Sequence, residues 1–137
     1  MKEITSGYID FINSGDWVVA GNAGVGDVCG DAVILSVSDS AWIGDVYGRA
    51  QVRSLRGSAK IGEVYGHAKI LYVLGNSEIT WIYGNARVGT VFDCATIYRA
   101  RGNSVIGVVY DDASIIEVYE NAKILKDLRK GKTNEYE

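Results

Sequence analysis

From Val19 to Lys126 the chain repeats every nine residues without a gap: VAGNAGVGD, VCGDAVILS, VSDSAWIGD, VYGRAQVRS, LRGSAKIGE, VYGHAKILY, VLGNSEITW, IYGNARVGT, VFDCATIYR, ARGNSVIGV, VYDDASIIE and VYENAKILK. One such unit has too little apolar surface to fold alone and gains a core only from neighbours stacked on it. Position one is Val, Ile or Leu except at Ala100. Position five is Ala, or Ser at Ser77 and Ser104, and position seven is Val or Ile throughout. Alternating β-branched residues make a strand pattern, and no stripe at i, i+3, i+4, i+7 supports a helix. Nine is odd, so the alternation must break once in every unit. One candidate corner is positions three and four, where position three is Gly or an acid (Asp39, Asp93, Asp111, Glu120). The other is positions eight and nine, where the in–out phase fails.

Position two indicates how units combine. Even units carry Tyr47, Tyr65, Tyr83 and Tyr119, whereas odd units carry Ala20, Ser38, Arg56, Leu74, Phe92 and Tyr110. Like residues recur every eighteen, which favours two units per coil; three per coil is the alternative. The expected fold is all-β: a parallel β-solenoid (β-helix or β-roll) of twelve nine-residue repeats over residues 19–126. Coils about 4.8 Å apart would form a rod roughly 29 Å long. Residues 1–18, with Ile4, Tyr8, Ile9, Phe11, Ile12 and Trp17, are expected to cap one end, and 127–137 to form a C-terminal cap or fraying tail.

Composition bounds the rest. The 137 residues suit one domain, and 17 Gly with no Pro means that turns rest on Gly, Asn and Asp. No segment has the apolar run of a membrane helix, and MKEITSGYIDFINSG has no signal-peptide stretch, so a cytoplasmic location is expected. Cys29 and Cys94 fall at different repeat positions several layers apart, out of disulfide reach, and read as free thiols. The net charge of −3 is unevenly spread. Residues 1–45 carry one base and seven acids, 46–108 eight bases and three acids, and 109–137 five bases and seven acids.

The V-Y-G-N-A-x-I-x-x unit resembles the nonapeptide-repeat solenoids of bacteria, their phages and mobile elements, over residues 19–126. The matched positions are core and turn positions, so the resemblance implies a fold and little chemistry. Val64-Tyr65-Gly66-His67-Ala68-Lys69 and Ile82-Tyr83-Gly84-Asn85-Ala86-Arg87 are partly similar to the hexapeptide of left-handed β-helix acyltransferases. Those enzymes use an interfacial histidine and loops leaving the coil; here His67 is the one histidine and the array has no insertion. The paired glycines and regular Asp of calcium-binding β-rolls are missing, as is the threonine ladder of antifreeze solenoids.

Chemistry-bearing candidates are few. His67, Ser40, Ser58 and Cys94 occupy corner positions with nothing to mark them as activated. Asp27, Asp45 and Glu63 recur every eighteen residues and would stack as like charges, open to a cation or simply solvated. The best candidate surface is a column of Tyr47, Tyr65, Tyr83, Arg101 and Tyr119. Gln51, Lys69, Arg87 and Lys123 lie four residues on, with Arg49 and Arg53 beside. Arg101 can make cation–π contacts with the tyrosines on either side, and Tyr and Arg are enriched in interface hot spots. Trp42 and Trp81 add outward apolar area.

No catalytic residue, metal site or cofactor is assigned. The expected function is that of a non-catalytic protein-binding solenoid, with a phage- or mobile-element-encoded inhibitor of a host defence or nucleic-acid-handling protein, anti-CRISPR-like, as its narrower form. Alternatives are nucleic-acid binding through the Tyr/Arg/Lys face, an acyltransferase-like enzyme and a self-assembling structural protein. A protein partner and a homo-oligomer, such as a homodimer through a coil end, are expected.

Overall fold

Each nine-residue unit becomes one five-residue strand followed by one tight corner, and the corner is at positions three and four. The computed structural model describes residues 1–129. Its strands are β1 (Lys2–Ile4), β2 (Tyr8–Ile12), β3 (Asp16–Val19), β4 (Gly24–Val28), β5 (Val33–Val37), β6 (Trp42–Val46), β7 (Gln51–Leu55) and β8 (Lys60–Val64). They continue as β9 (Lys69–Val73), β10 (Glu78–Ile82), β11 (Arg87–Val91), β12 (Thr96–Ala100), β13 (Val105–Val109), β14 (Ser114–Val118) and β15 (Lys123–Asp127).

Odd-numbered strands form one eight-stranded sheet and even-numbered strands a second, seven-stranded sheet. All neighbours pair in parallel; Ile61, Ile79 and Ile97, for example, stand level on successive strands. The chain is therefore a β-solenoid with two units to the coil, and the three-unit alternative does not form.

Position three explains the corner. In every unit it has positive φ, near +60°, a region costly for any residue with a Cβ. The N–H of position five then bonds the C=O of position two, as from Ala50 to Tyr47 at 3.3 Å. Eight units use glycine. The other four place Asp39, Asp93, Asp111 or Glu120 there, and each carboxylate accepts a bond from the position-three N–H one coil earlier. Asp39 takes that of Gly21 at 2.9 Å, Asp93 that of Gly75 at 3.0 Å, Asp111 that of Asp93 at 3.3 Å and Glu120 that of Gly102 at 2.7 Å. A charge-assisted bond to a backbone donor offsets the backbone strain. The coil-to-coil ladder also runs through the corners, as in His67 N–H to Gly48 C=O at 2.9 Å.

Positions eight and nine lie inside the strand, and both face outward. The alternation is mended there by skipping a residue: register passes from Ile79 to Trp81 on one strand and from Ile97 to Arg99 on the next. Positions one, five and seven fill the interior between the sheets, with Ile34, Ile43, Ile61, Ile70, Ile79, Ile97 and Ile106 all buried. Ser77 and Ser104 at position five are buried too, and their hydroxyls donate to Leu74 C=O at 2.7 Å and Arg101 C=O at 2.8 Å.

Residues 1–18 cover their end of the rod by adding β1, β2 and most of β3 to the two sheets. They escape the nine-residue pattern because their corners are shorter. Lys2 opposes Trp17 and Tyr8 opposes Gly24, where later partners such as Gly24 and Trp42 are eighteen apart. At the other end Leu128 follows β15 and Arg129 packs down in a buried ion pair with Asp127 at 2.6 Å. The expected tail at 130–137 lies outside the described residues.

Candidate functional site

The two columns expected to make one binding face sit on either side of a corner. Position two of the even units follows an even-numbered strand, and position six opens the next odd-numbered strand, so the turn at positions three and four separates them.

The tyrosines form a stacked ladder. Tyr47 and Tyr65 lie 5.1 Å apart between ring centroids and Tyr65 and Tyr83 5.0 Å, each pair within 9° of parallel. Each hydroxyl donates to the acid twenty residues earlier: Tyr47 to Asp27 at 3.4 Å, Tyr65 to Asp45 at 3.5 Å and Tyr83 to Glu63 at 2.6 Å. The acidic column at position nine of β4, β6 and β8 thus meets tyrosine hydroxyls. Partial burial, reinforced by Glu63 and Asp27, raises the Asp45 carboxyl above the usual range. The neighbouring Cys29 side chain, together with desolvation, pushes Tyr47 up to about 12. Burial and the bond to Glu63 push Tyr83 up to about 12 as well. Among the described residues no group of three or more His, Cys, Asp or Glu is arranged to hold a metal ion.

Arg101 continues the column by capping the ladder: its guanidinium lies 4.9 Å over the Tyr83 ring. Its second aromatic partner is Trp81, at 5.0 Å, rather than Tyr119. Trp81 lies at position nine, beside position two of the next unit, and Arg99 contacts its ring at 4.9 Å while its Nε donates to Glu117 at 2.8 Å. Tyr119, in the last coil, is exposed.

The cations are arranged differently. Lys69 and Arg87 stand level on β9 and β11 with Gln51 alongside on β7; Arg49 lies at the preceding corner and Arg53 at position eight of β7. Arg49, Arg53, Lys69 and Arg87 are exposed, and none has an ion-pair partner among the described residues. Lys123 takes the same position on β15, beyond Val105 on β13. Arg49, Gln51, His67, Lys69, Asp31 and Val33 line an open groove of about 560 Å³. His67 is exposed there, and no serine, threonine or cysteine lines the groove with it. Cys29 and Cys94 are free thiols at opposite corners of different coils.

Two features of the surface went unread in the sequence. Trp42 lies flat on Gly24 and stacks with Tyr8 across β4, at 5.7 Å. On the odd-numbered sheet, position eight runs Leu71, Gly89, Gly107, Leu125 along β9, β11, β13 and β15, so two glycines floor a notch between two leucines. The eighteen-residue step would have located the leucine–glycine row and the Gly24–Trp42 pair, but not Tyr8, which is sixteen residues from Gly24. Compared with protein-family models, curated proteins and solved structures, the chain matches none of them.

Proposed function

We propose that the chain is a non-catalytic binding module that docks an acidic protein surface against the odd-numbered sheet. One observation carries this reading: Arg49, Arg53, Lys69 and Arg87 form an exposed strip without ion-pair partners among the described residues, with Lys69 and Arg87 in register one coil apart and Asp31 at one end. Side chains held on a paired sheet forfeit less backbone freedom on binding than side chains on loops, which favours docking by pre-organisation. A patch of single-sign charge steers an oppositely charged partner and fixes its orientation.

A protein fits this strip better than a nucleic acid does. Stacking platforms for bases need free aromatic faces. Here the central ring, Tyr65, is covered on both sides by its neighbours, and the ladder lies across the corner from the cations. Asp31 also closes the strip at one end, so a long polyanion following the groove would meet repulsion.

The test is affinity capture with the immobilised chain and its triple charge reversal, Arg49→Glu, Lys69→Glu and Arg87→Glu. An acidic protein retained by the wild type, released in 0.5 M salt and lost with the triple variant is the expected result (roughly ten-fold or more in affinity). Retention unaffected by the triple variant would sink the reading. Salt-sensitive retardation of single-stranded oligonucleotides by the wild type alone would replace it with nucleic-acid binding.

A further inference from the structure

The notch on the odd-numbered sheet gives this docking face an anchor. Its floor is Gly89 and Gly107, its walls are Leu71 and Leu125, and Lys69, Arg87 and Val105 edge it; its volume is about 260 Å³. All four floor and wall residues occupy position eight of successive strands, so the walls stand three strand spacings apart, roughly 14 Å between backbones. Every other position eight of this sheet from β5 onward carries a side chain, at Leu35, Arg53, Leu71 and Leu125. On this sheet the gap therefore belongs to two coils.

The walls are apolar and open to water: Leu71 is 38% and Leu125 64% exposed. Exposed leucines facing each other across an unfilled gap, beside cations without partners, are the inverse image of a particular ligand. We infer that the notch receives one large apolar side chain, aromatic or aliphatic, from a protein segment whose neighbouring residues are acidic. The apolar side chain fills the space over Gly89 and Gly107 while the flanking carboxylates reach Lys69 and Arg87. Burying a bulky anchor in a fitted pocket and ringing it with polar contacts that exclude water is how interface energy is concentrated. The charge of the rim selects acidic neighbours over basic ones.

This inference rests on the proposed docking face and specifies what that face reads. It can fail alone. The probes are synthetic peptides, acetyl-Glu-Asp-X-Asp-Glu-amide with X as Phe, Leu or Ala, and a Phe peptide in which the acids are replaced by Lys. Binding is followed by backbone amide shifts of the isotope-labelled full-length chain. The Phe and Leu peptides are expected to shift the amides of Gly89 and Gly107, the Ala peptide to bind at least about ten-fold more weakly and the Lys peptide not at all. Leu71→Ser and Leu125→Ser, at exposed positions, should weaken the Phe peptide about ten-fold and leave the Ala peptide unchanged. Phe and Ala peptides binding alike would overturn the notch while leaving the cationic face intact. Binding of the Lys peptide as well as the Phe peptide, or of no acidic peptide at millimolar concentration, would overturn it too. An acidic partner captured in the experiment above but indifferent to Leu125→Ser would separate the two readings in the same way.

Discussion

On the tyrosine side of a corner the stacked rings and their hydroxyls turn to other parts of the chain; across it Arg49, Lys69 and Arg87 have no ion-pair partner among the described residues. Tyr65 and Lys69 are four residues apart in one coil, yet Tyr65 touches two rings and a carboxylate while Lys69 stands in water beside a groove. The difference teaches how to divide a repetitive surface. Side chains stacked on their own kind at one-coil spacing hold the rod together, and side chains left unsatisfied at the same spacing are free to meet something else.

Mutations should separate the two sides. The largest effect belongs to Tyr65→Ala, which removes both stacking contacts of the ladder and should cost about 2 kcal/mol in denaturant unfolding. An unfolding midpoint unchanged by this substitution would make the ladder ornamental. The same ladder is expected to loosen in alkali. Tyr47 and Tyr83 lie near 12 in the fold, against about 10 in an unfolded chain. The unfolded chain then loses its protons first, so their contribution is intact below about pH 10 and declines up to about 12; thermal melts across that interval read it.

Next comes the corner. Asp93→Ala keeps the left-handed backbone and loses the bond to Gly75 N–H, for an expected loss of about 1–2 kcal/mol. Asp93→Gly loses the same bond and relieves the backbone, so it should fall within about 0.5 kcal/mol of wild type. If the two variants unfold alike, the carboxylate is not compensating for strain.

A smaller effect of opposite sign is expected at Asp45, which stands in register between Asp27 and Glu63. Its raised pKa means that the folded chain takes up this proton before the unfolded chain does, so its charge is a burden at neutral pH that eases on acidification through that window. Asp45→Asn should stabilise the chain by about 0.5 kcal/mol at pH 7, with the gain vanishing in acid. Smallest of all is the stability change for Lys69→Ala, within about 0.5 kcal/mol. Partner capture should be the measurement that moves, and a large loss of stability there would erase the contrast between the two sides.

The core was legible because the same side chain fills the same place in every unit. Ile61, Ile79 and Ile97 could be assigned inward from position seven alone, and they are buried. The coil's start was not legible, since Lys2 to Trp17 and Tyr8 to Gly24 are joined through corners of other lengths. Acids at position three stood out as exceptions, but their purpose required knowing that the corner has positive φ and leaves an N–H facing the next coil. The Tyr and Arg/Lys columns were found correctly as columns. Placing them on one face failed to allow for the turn between, because four residues along a strand and four residues around a corner look the same in a string of letters. Asp27 and Tyr47 are twenty apart, one coil plus two, a separation that becomes meaningful only once the coil length is known.

Because like positions recur at a step of eighteen residues, the molecule is written in a language with two reading frames. Removal of residues 55–72 would splice one coil onto another of the same shape and leave both sides of the rod in place. A nine-residue insertion would keep the interior equally intact but exchange the sides for everything downstream, moving the tyrosine ladder to the opposite corner. Length is thus adjustable in whole coils, and half a coil acts as a switch of orientation.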